Sequence, residues 1–295
     1  MATLVKPPTA EGQPTSEGSL QELATLRRTT TPPMRRRRSE KEPRGWVVAA
    51  LRLGVVVIAL VGWELGVRAG LVDPFFWSQP SSIWETGVIA FRSGDILANA
   101  RFTFTSTVLG FIIGVLGGVA IGLSFWWSRA YALTAEPLVI AFEAMPKLAL
   151  APIVVLVLGL GMTSKVAMAT ALVIVIQILN TYSAVKAVDK DLTTLMYSLG
   201  ASRWQVFVKV VVPSILPWVA SSLRVAIGLA LTGAIVGEYI GSNAGLGRMI
   251  QYAGSTYDIA LIWVGVFTLA ALSMALYLVV SWFEKRLLSN ITHTR

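Results

Sequence analysis

The sequence predicts an all-α, polytopic membrane protein with about six transmembrane helices, and three observations predict it. Of its 295 residues 55% are hydrophobic and only 14% charged, about half the charged share of a soluble domain. The apolar residues gather in runs long enough to cross a bilayer. The basic residues gather in alternate connections, as topology by positive charge requires. Cysteine is absent and the one histidine, His293, lies at the extreme C-terminus. Disulfides, thiolate zinc sites and Ser-His-Asp catalysis are therefore not expected. The net charge of +9 sits beside membrane spans, which points to lipid and topology rather than nucleic acid.

Residues 1–43 are rich in Pro, Thr and charge, without apolar periodicity, and read as a disordered basic tail. Arg35 to Arg38, Lys41 and Arg44 then anchor that tail in the cytoplasm, with anionic headgroups a second role for them. The membrane-spanning body is expected over 44–288, with a short tail over 289–295. Its first span covers Trp46 to Val67 and a mixed loop follows over 68–101. The second span, Thr103 to Trp127, carries Gly110, Gly114, Gly118 and Gly122 at four-residue spacing, which smooths one face for close packing. The third, Leu133 to Gly159, is interrupted by Pro137, Pro146 and Pro152. The fourth covers Thr163 to Tyr182, the fifth Ile215 to Ile240 and the sixth Asp258 to Phe283. With both termini inside, the outer segments hold only Arg68, Arg92, Arg101, Lys165 and Arg248.

Charged and amide groups inside spans are costly and are functional candidates by default. Glu143 and Lys147 are four apart across Pro146, either a structural pair or a lining of the pathway. Gln177 and Asn180 read as hydrogen-bonding glue between helices or as pathway residues. Glu238 closes the fifth span before a glycine-rich turn, GSNAGLG, and is a candidate for the outer gate. That turn has no Lys-Ser/Thr and is no phosphate cradle. Glu136 lies near a span end, and Arg224 faces the bundle, about four turns from Glu238.

Between the fourth and fifth spans, 186–216 forms the one long charged connection in the second half of the chain. Leu192, Leu195, Met196 and Leu199 recur at helical spacing. Gly200 suits a helix C-terminus, and Ser202 with Gln205 suits a capping box for the next helix. That helix is expected to place Trp204, Phe207, Val208 and Val211 on one face and to close at Pro213 and Pro217.

Gly200, nine intervening residues and Val210-Val211-Val212-Pro213 match the spacing of the EAA motif, which this stretch resembles; Thr194-Leu195-Met196 stands where that motif has Glu-Ala-Ala. Together with Met145-Pro146-Lys147-Leu148-Ala149-Leu150-Ala151-Pro152, Leu199 to Gln205, and Gly237-Glu238 before Asn243-Ala244-Gly245-Leu246-Gly247, the chain is similar to permease subunits of binding-protein-dependent ABC importers of the nitrate/sulfonate/taurine/bicarbonate type. The resemblance implies a non-catalytic subunit of the bacterial inner membrane that binds no cofactor itself. It implies two copies of the chain, an ATP-binding cassette subunit carrying the ATP, and an extracytoplasmic binding protein that delivers a small solute, expected to be an anion. It further implies that Gly200, Ala201, Ser202, Arg203, Trp204, Phe207 and Pro213 couple to the ATPase, with Arg203 at the rim of that contact. A secondary transporter or channel independent of ATP is the alternative.

Overall fold

The computed structural model describes residues 45–292; the tail expected over 1–43 and His293 lie outside the described residues. Among the described residues there is no strand. Contacts divide the chain after Val56, so the first unit contributes only the opening of the first helix, and the bundle described below is built from Val57 onward.

α1 (Gly45–Arg68) is the first span. The loop expected over 68–101 contains two helices instead, α2 (Pro74–Trp77) and α3 (Pro80–Arg92). Each opens on a proline, which has no N–H to waste at a helix start, and Asp73 accepts from Phe75 N–H to cap α2. α4 (Asp95–Ser124) begins eight residues earlier than expected and ends in a 3-10 turn, Phe125–Trp127. α5 (Arg129–Ala144) and the segment Lys147–Leu158, which includes α6 (Ala151–Leu158), are together apolar enough for a broken span or a re-entrant loop and are bent by 75°. The bend sits at Met145, held at φ −66°, ψ 136° because a residue before proline is excluded from the helical region. α7 (Met162–Lys186) is the next span and α8 (Lys190–Ser198) the short helix after it. α9 (Arg203–Ile240) is continuous over 38 residues. α10 (Leu246–Ser255) follows where only a turn was expected, and α11 (Ile259–Thr292) closes the chain, running through residues 289–292 that were read as tail.

α9 corrects one expectation in kind. Pro213 and Pro217 do not end a helix; both lie within it. A proline ring collides with the carbonyl four residues back, and here Phe207–Val211 is wound as a π turn in which Val212 N–H reaches the carbonyl of Phe207. The wider turn absorbs Pro213 and keeps the rod unbroken.

The core is the contact of α4, α7 and α9. Gly110, Gly114, Gly118 and Gly122 are all buried and face Ala169, Val173, Gln177 and Thr181 in turn. Both series advance by four in the same direction, so the helices run parallel with their ridges in register. A Cβ on Gly114 would fall 2.7 Å from that of Val173, and one on Gly118 2.6 Å from that of Gln177. On the other side of α7, Gly233 lies against the backbone of Met168 and Ala169. Val173, Ala226, Ala230 and Ala234 fill the seam between them. Small residues give close backbone approach, which supplies packing where lipid removes the hydrophobic drive between helices.

Gly110→Ala would put a methyl 2.3 Å from the Ala169 Cβ and 3.1 Å from the Val166 carbonyl. It should lower the unfolding temperature in detergent, an overpacking cost of about 1–3 kcal/mol. Gly62→Ala, with open space at its Cβ, should be neutral or gain up to about 1 kcal/mol from helix propensity. Equal thermal shifts in the two variants would refute the close-packed seam.

Candidate functional site

Two sites are built at opposite ends of α9. At the first, α8 is capped by Asp189, whose carboxylate accepts from Asp191 N–H at 2.8 Å. It ends in a Schellman closure: Gly200 N–H bonds the Tyr197 carbonyl at 2.9 Å and Ala201 N–H the Met196 carbonyl at 3.0 Å. Gly200 has φ +80°, the left-handed conformation that closure requires. The expected capping box is present, with Gln205 N–H to Ser202 Oγ at 3.3 Å and Ser202 N–H to Gln205 Oε1 at 2.8 Å. Two helices are thus joined by a stiff corner.

Among the described residues the apolar stripe of α8 is left largely uncovered. Leu192 and Leu195 are exposed, and Leu199 is 75% exposed. On α9 the inward face is Val206, Val210 and Val211, not the face expected; Val208 is exposed and Trp204 is 61% exposed. Trp204 nonetheless stacks on Trp127 with ring centres 5.9 Å apart, and Phe207 lies 5.3 Å from both Trp126 and Trp127. Arg203 lies over the Trp126 ring at 5.1 Å. Its guanidinium donates to the Trp126 carbonyl at 3.3 Å and to that of Trp127. A cation on the last carbonyls of a helix is favoured by the helix dipole. Arg203, expected at an outer rim, therefore binds α9 to the end of α4, and four aromatic rings pack around that joint.

At the other end Glu238 is 1% exposed and Lys165 fully buried. Glu238 Oε2 accepts from Thr103 Oγ at 2.9 Å and from Gly247 N–H at 2.9 Å. Leu246 N–H donates to the same Thr103 hydroxyl at 2.9 Å, and Gly245 N–H to Asn99 Oδ1 at 2.8 Å. The glycine-rich loop is wrapped over the carboxylate. Gly245 sits at φ +115° and a Cβ there would meet the Glu238 carboxyl carbon at 2.3 Å. Lys165, expected in an outer loop, instead donates to Ser164 Oγ at 3.0 Å, to the Leu160 carbonyl at 3.1 Å and to the Gly241 carbonyl. It ties the turn before α7 to the end of α9. Asn99, Thr103 and Lys165 were missed by sequence reading; polar residues within the first turns of apolar runs were the available signal.

The remaining candidates are not brought together. Lys147 binds the Glu143 carboxylate and its carbonyl, each at 2.9 Å. That carbonyl has lost its helical donor at the Pro146 bend, and the ammonium replaces it. Gln177 is fully buried and accepts from Ser222 Oγ at 3.0 Å, joining α7 to α9 as helix glue; Asn180 is half-buried one turn on. Arg224 pairs with Glu284 of α11 at 2.7 Å, a partner hidden from sequence reading because it stands just past the expected span end. Glu136 pairs with Lys186 at 2.8 Å and accepts from the Tyr182 hydroxyl at 3.2 Å. Among the described residues no cluster of three His, Asp or Glu side chains is arranged to hold a metal.

Residues 106–292 match the family of binding-protein-dependent transport system inner membrane components. The chain belongs to this family. It is a permease subunit of an ABC importer and a multi-pass membrane protein. It is 30% identical over 232 residues to a riboflavin transport system permease of Chloroflexus aurantiacus, covering 79% of this chain and 87% of that one. It is 30% identical over 237 residues to a formylaminopyrimidine transport permease of Halalkalibacterium halodurans, covering 79% and 92%. It is 26% identical over 242 residues to the taurine transport permease of Escherichia coli, covering 80% and 88%. Its fold is shared with a bacterial ABC transporter involved in import of the polysaccharide alginate (TM-score 0.55, 17% identity, 82% of this chain and 96% of that one). It is shared also with the inward-facing methionine ABC transporter (TM-score 0.52, 18% identity, 67% and 94%).

Within this permease, Glu238→Ala should leave Gly247 N–H unsatisfied, leave the Thr103 hydroxyl only the Asn99 carbonyl to donate to, and open a cavity. The expected loss is about 2–4 kcal/mol, read as a lower unfolding temperature and faster proteolysis of the 241–247 loop. Glu238→Gln keeps an acceptor in place and should lose less than half as much. A destabilisation by Gln equal to that by Ala would refute the carboxylate's role as the acceptor that holds this loop.

Proposed function

We propose that this permease forms one half of the membrane path of an ATP-driven importer in the bacterial inner membrane, with both termini cytoplasmic. An ATP-binding cassette subunit docks on the α8–α9 corner and supplies the hydrolysis, an extracytoplasmic binding protein delivers solute at the Glu238 end, and a second copy completes the path. The observation that carries this reading is the pairing of a largely uncovered apolar stripe (Leu192, Leu195, Leu199) with a rigidly capped corner that continues into α9. At 1.5 Å per residue the 38-residue α9 is about 57 Å long, enough to link a cytoplasmic docking surface to the opposite rim. Displacement of the corner then moves the Glu238 loop as part of the same rod.

The solute reading is narrower than the one expected from sequence. Lys147 and Arg224 are each paired with a carboxylate and Lys165 is fully buried, so none offers an exposed, unpaired positive charge to a lining that would favour an anion. That supports a small organic solute of low charge, such as the flavin or pyrimidine named for the two relatives at 30% identity. The taurine and sulfonate class stands as the second reading, favoured by the relatives at 26%.

Leu199→Asp should abolish co-purification of the ATP-binding subunit while the variant stays inserted and monodisperse, because a carboxylate desolvated in an apolar contact costs several kcal/mol. Undiminished recovery of that subunit would refute docking at α8. Uptake into liposomes holding the purified complex and its binding protein should need ATP; uptake by this chain alone would establish the secondary-transporter alternative. Competition by taurine but not by riboflavin or a pyrimidine would favour the second solute reading.

A further inference from the structure

A groove of about 580 Å³ runs between α1, α3 and α11, and its walls are almost wholly apolar. Trp63, Ile83, Gly87, Phe91 and Phe267 line it, and Arg92 is the one charged residue on it. It is a built feature rather than a loose gap. Glu64 fastens α3 to α1, accepting from Ser81 N–H at 3.1 Å and from Ser81 Oγ at 3.0 Å. Trp63 packs edge-on against Trp263 with ring centres 5.1 Å apart. Gly87 faces α11 across the groove, where a Cβ would stand in ordinary contact with Val264 at 3.5 Å and a longer side chain would fill the space.

Its depth can be read from the helix ends. Trp63 lies five residues before the end of α1 at Arg68, and Phe267 eight residues after the start of α11 at Ile259. At 1.5 Å per residue these lie about 8 and 12 Å below the helix ends, within the ~15 Å of hydrocarbon that one leaflet provides. Arg92 ends α3 immediately before α4 begins at Asp95, at the level where a span enters the headgroup layer. It is exposed and enters no ion pair among the described residues. At this depth a bilayer would surround the groove with lipid, its walls suit an acyl chain, and the one charge among its lining residues is positive.

We propose that this groove is a binding site for one phospholipid with an anionic headgroup, its acyl chain along α3 and its phosphate on Arg92. The site depends only on α1, α3, α4 and α11 and is independent of the substrate reading above.

The test is native mass spectrometry of the purified chain in detergent with phosphatidylglycerol or phosphatidylcholine of identical acyl chains. Wild type should retain one phosphatidylglycerol per chain in preference to phosphatidylcholine by about fivefold, the worth of one Arg at a membrane surface. Arg92→Gln should remove the preference but leave weak retention of both lipids. Gly87→Leu, which fills the groove with a good helix former, should abolish retention of both. Phe91→Ala, at an exposed position, should weaken both equally and serves if the Leu variant does not fold. Wild-type preference in Arg92→Gln, or unchanged retention in Gly87→Leu and Phe91→Ala, would overturn the proposal. So would a loss of self-association without loss of lipid, which would assign the groove to a second copy.

Discussion

Close approach of α4 to α7 is the constraint on which the rest of this bundle depends. Four glycines at four-residue spacing let two helix backbones come within reach of one another's side-chain roots. Only then can α9 lie against the far side of α7 with Gly233 on the Met168 and Ala169 backbone. The amide of Gln177 becomes a bridge to Ser222 for the same reason, since the polar group has no water to turn to. The three helices form a dry, close-packed plate, and the amphipathic and lipid-facing elements are attached to its edges. α1 and α11 show mostly apolar surface outward, as helices do whose environment is hydrocarbon.

The plate matters functionally because α9 is both its third member and the rod that leaves it. Two prolines near the entrance of a helix normally mark a stop, and the local rule was broken here by a π turn. The turn costs one poorly wound stretch, and it preserves a continuous connection between an exposed corner and a buried carboxylate. At one end Arg203 and four aromatic rings clamp the rod to the last carbonyls of α4. At the other, Glu238 and Lys165 stitch it to two loops. A rod fixed at both ends to neighbours in the same plate moves them together, which is what a lever within a transport cycle requires.

Much of the frame was legible in the sequence. The spans, the glycine stripe, the break at Pro146, the Gly200 corner and the Ser202–Gln205 box follow from local rules, and each involves residues within a few positions of one another. What was not legible depends on pairs distant along the chain. Lys165 looked like a loop residue because its three acceptors come from Ser164, Leu160 and Gly241, and only the fold brings the last of these near. Arg203 looked available to a partner because the Trp126 and Trp127 carbonyls lie some 77 positions earlier. The helix α10 was read as part of a glycine-rich turn; the structure uses Gly245 and Gly247 for closeness to Glu238.

Polar residues within spans were taken at the outset as pathway candidates, and their placement argues for a different location of the path. Gln177, Glu238 and Lys165 are each buried between helices of one chain and engaged there. These bonds hold helices together, while Gln177 Nε2 and Glu238 Oε1 find no partner among the described residues and are shut away by packing alone. The seam between α4, α7 and α9 is filled by Val173, Ala226, Ala230 and Ala234. On the function proposed above, a solute would cross on an outer face of the plate, and a face becomes a path only when a second surface closes over it. The exposed side of α9 carries Ser221, Gly228 and Thr232 at helical spacing, small and polar enough to line such a path and poorly suited to lipid. That face is where the second copy proposed above would close the path.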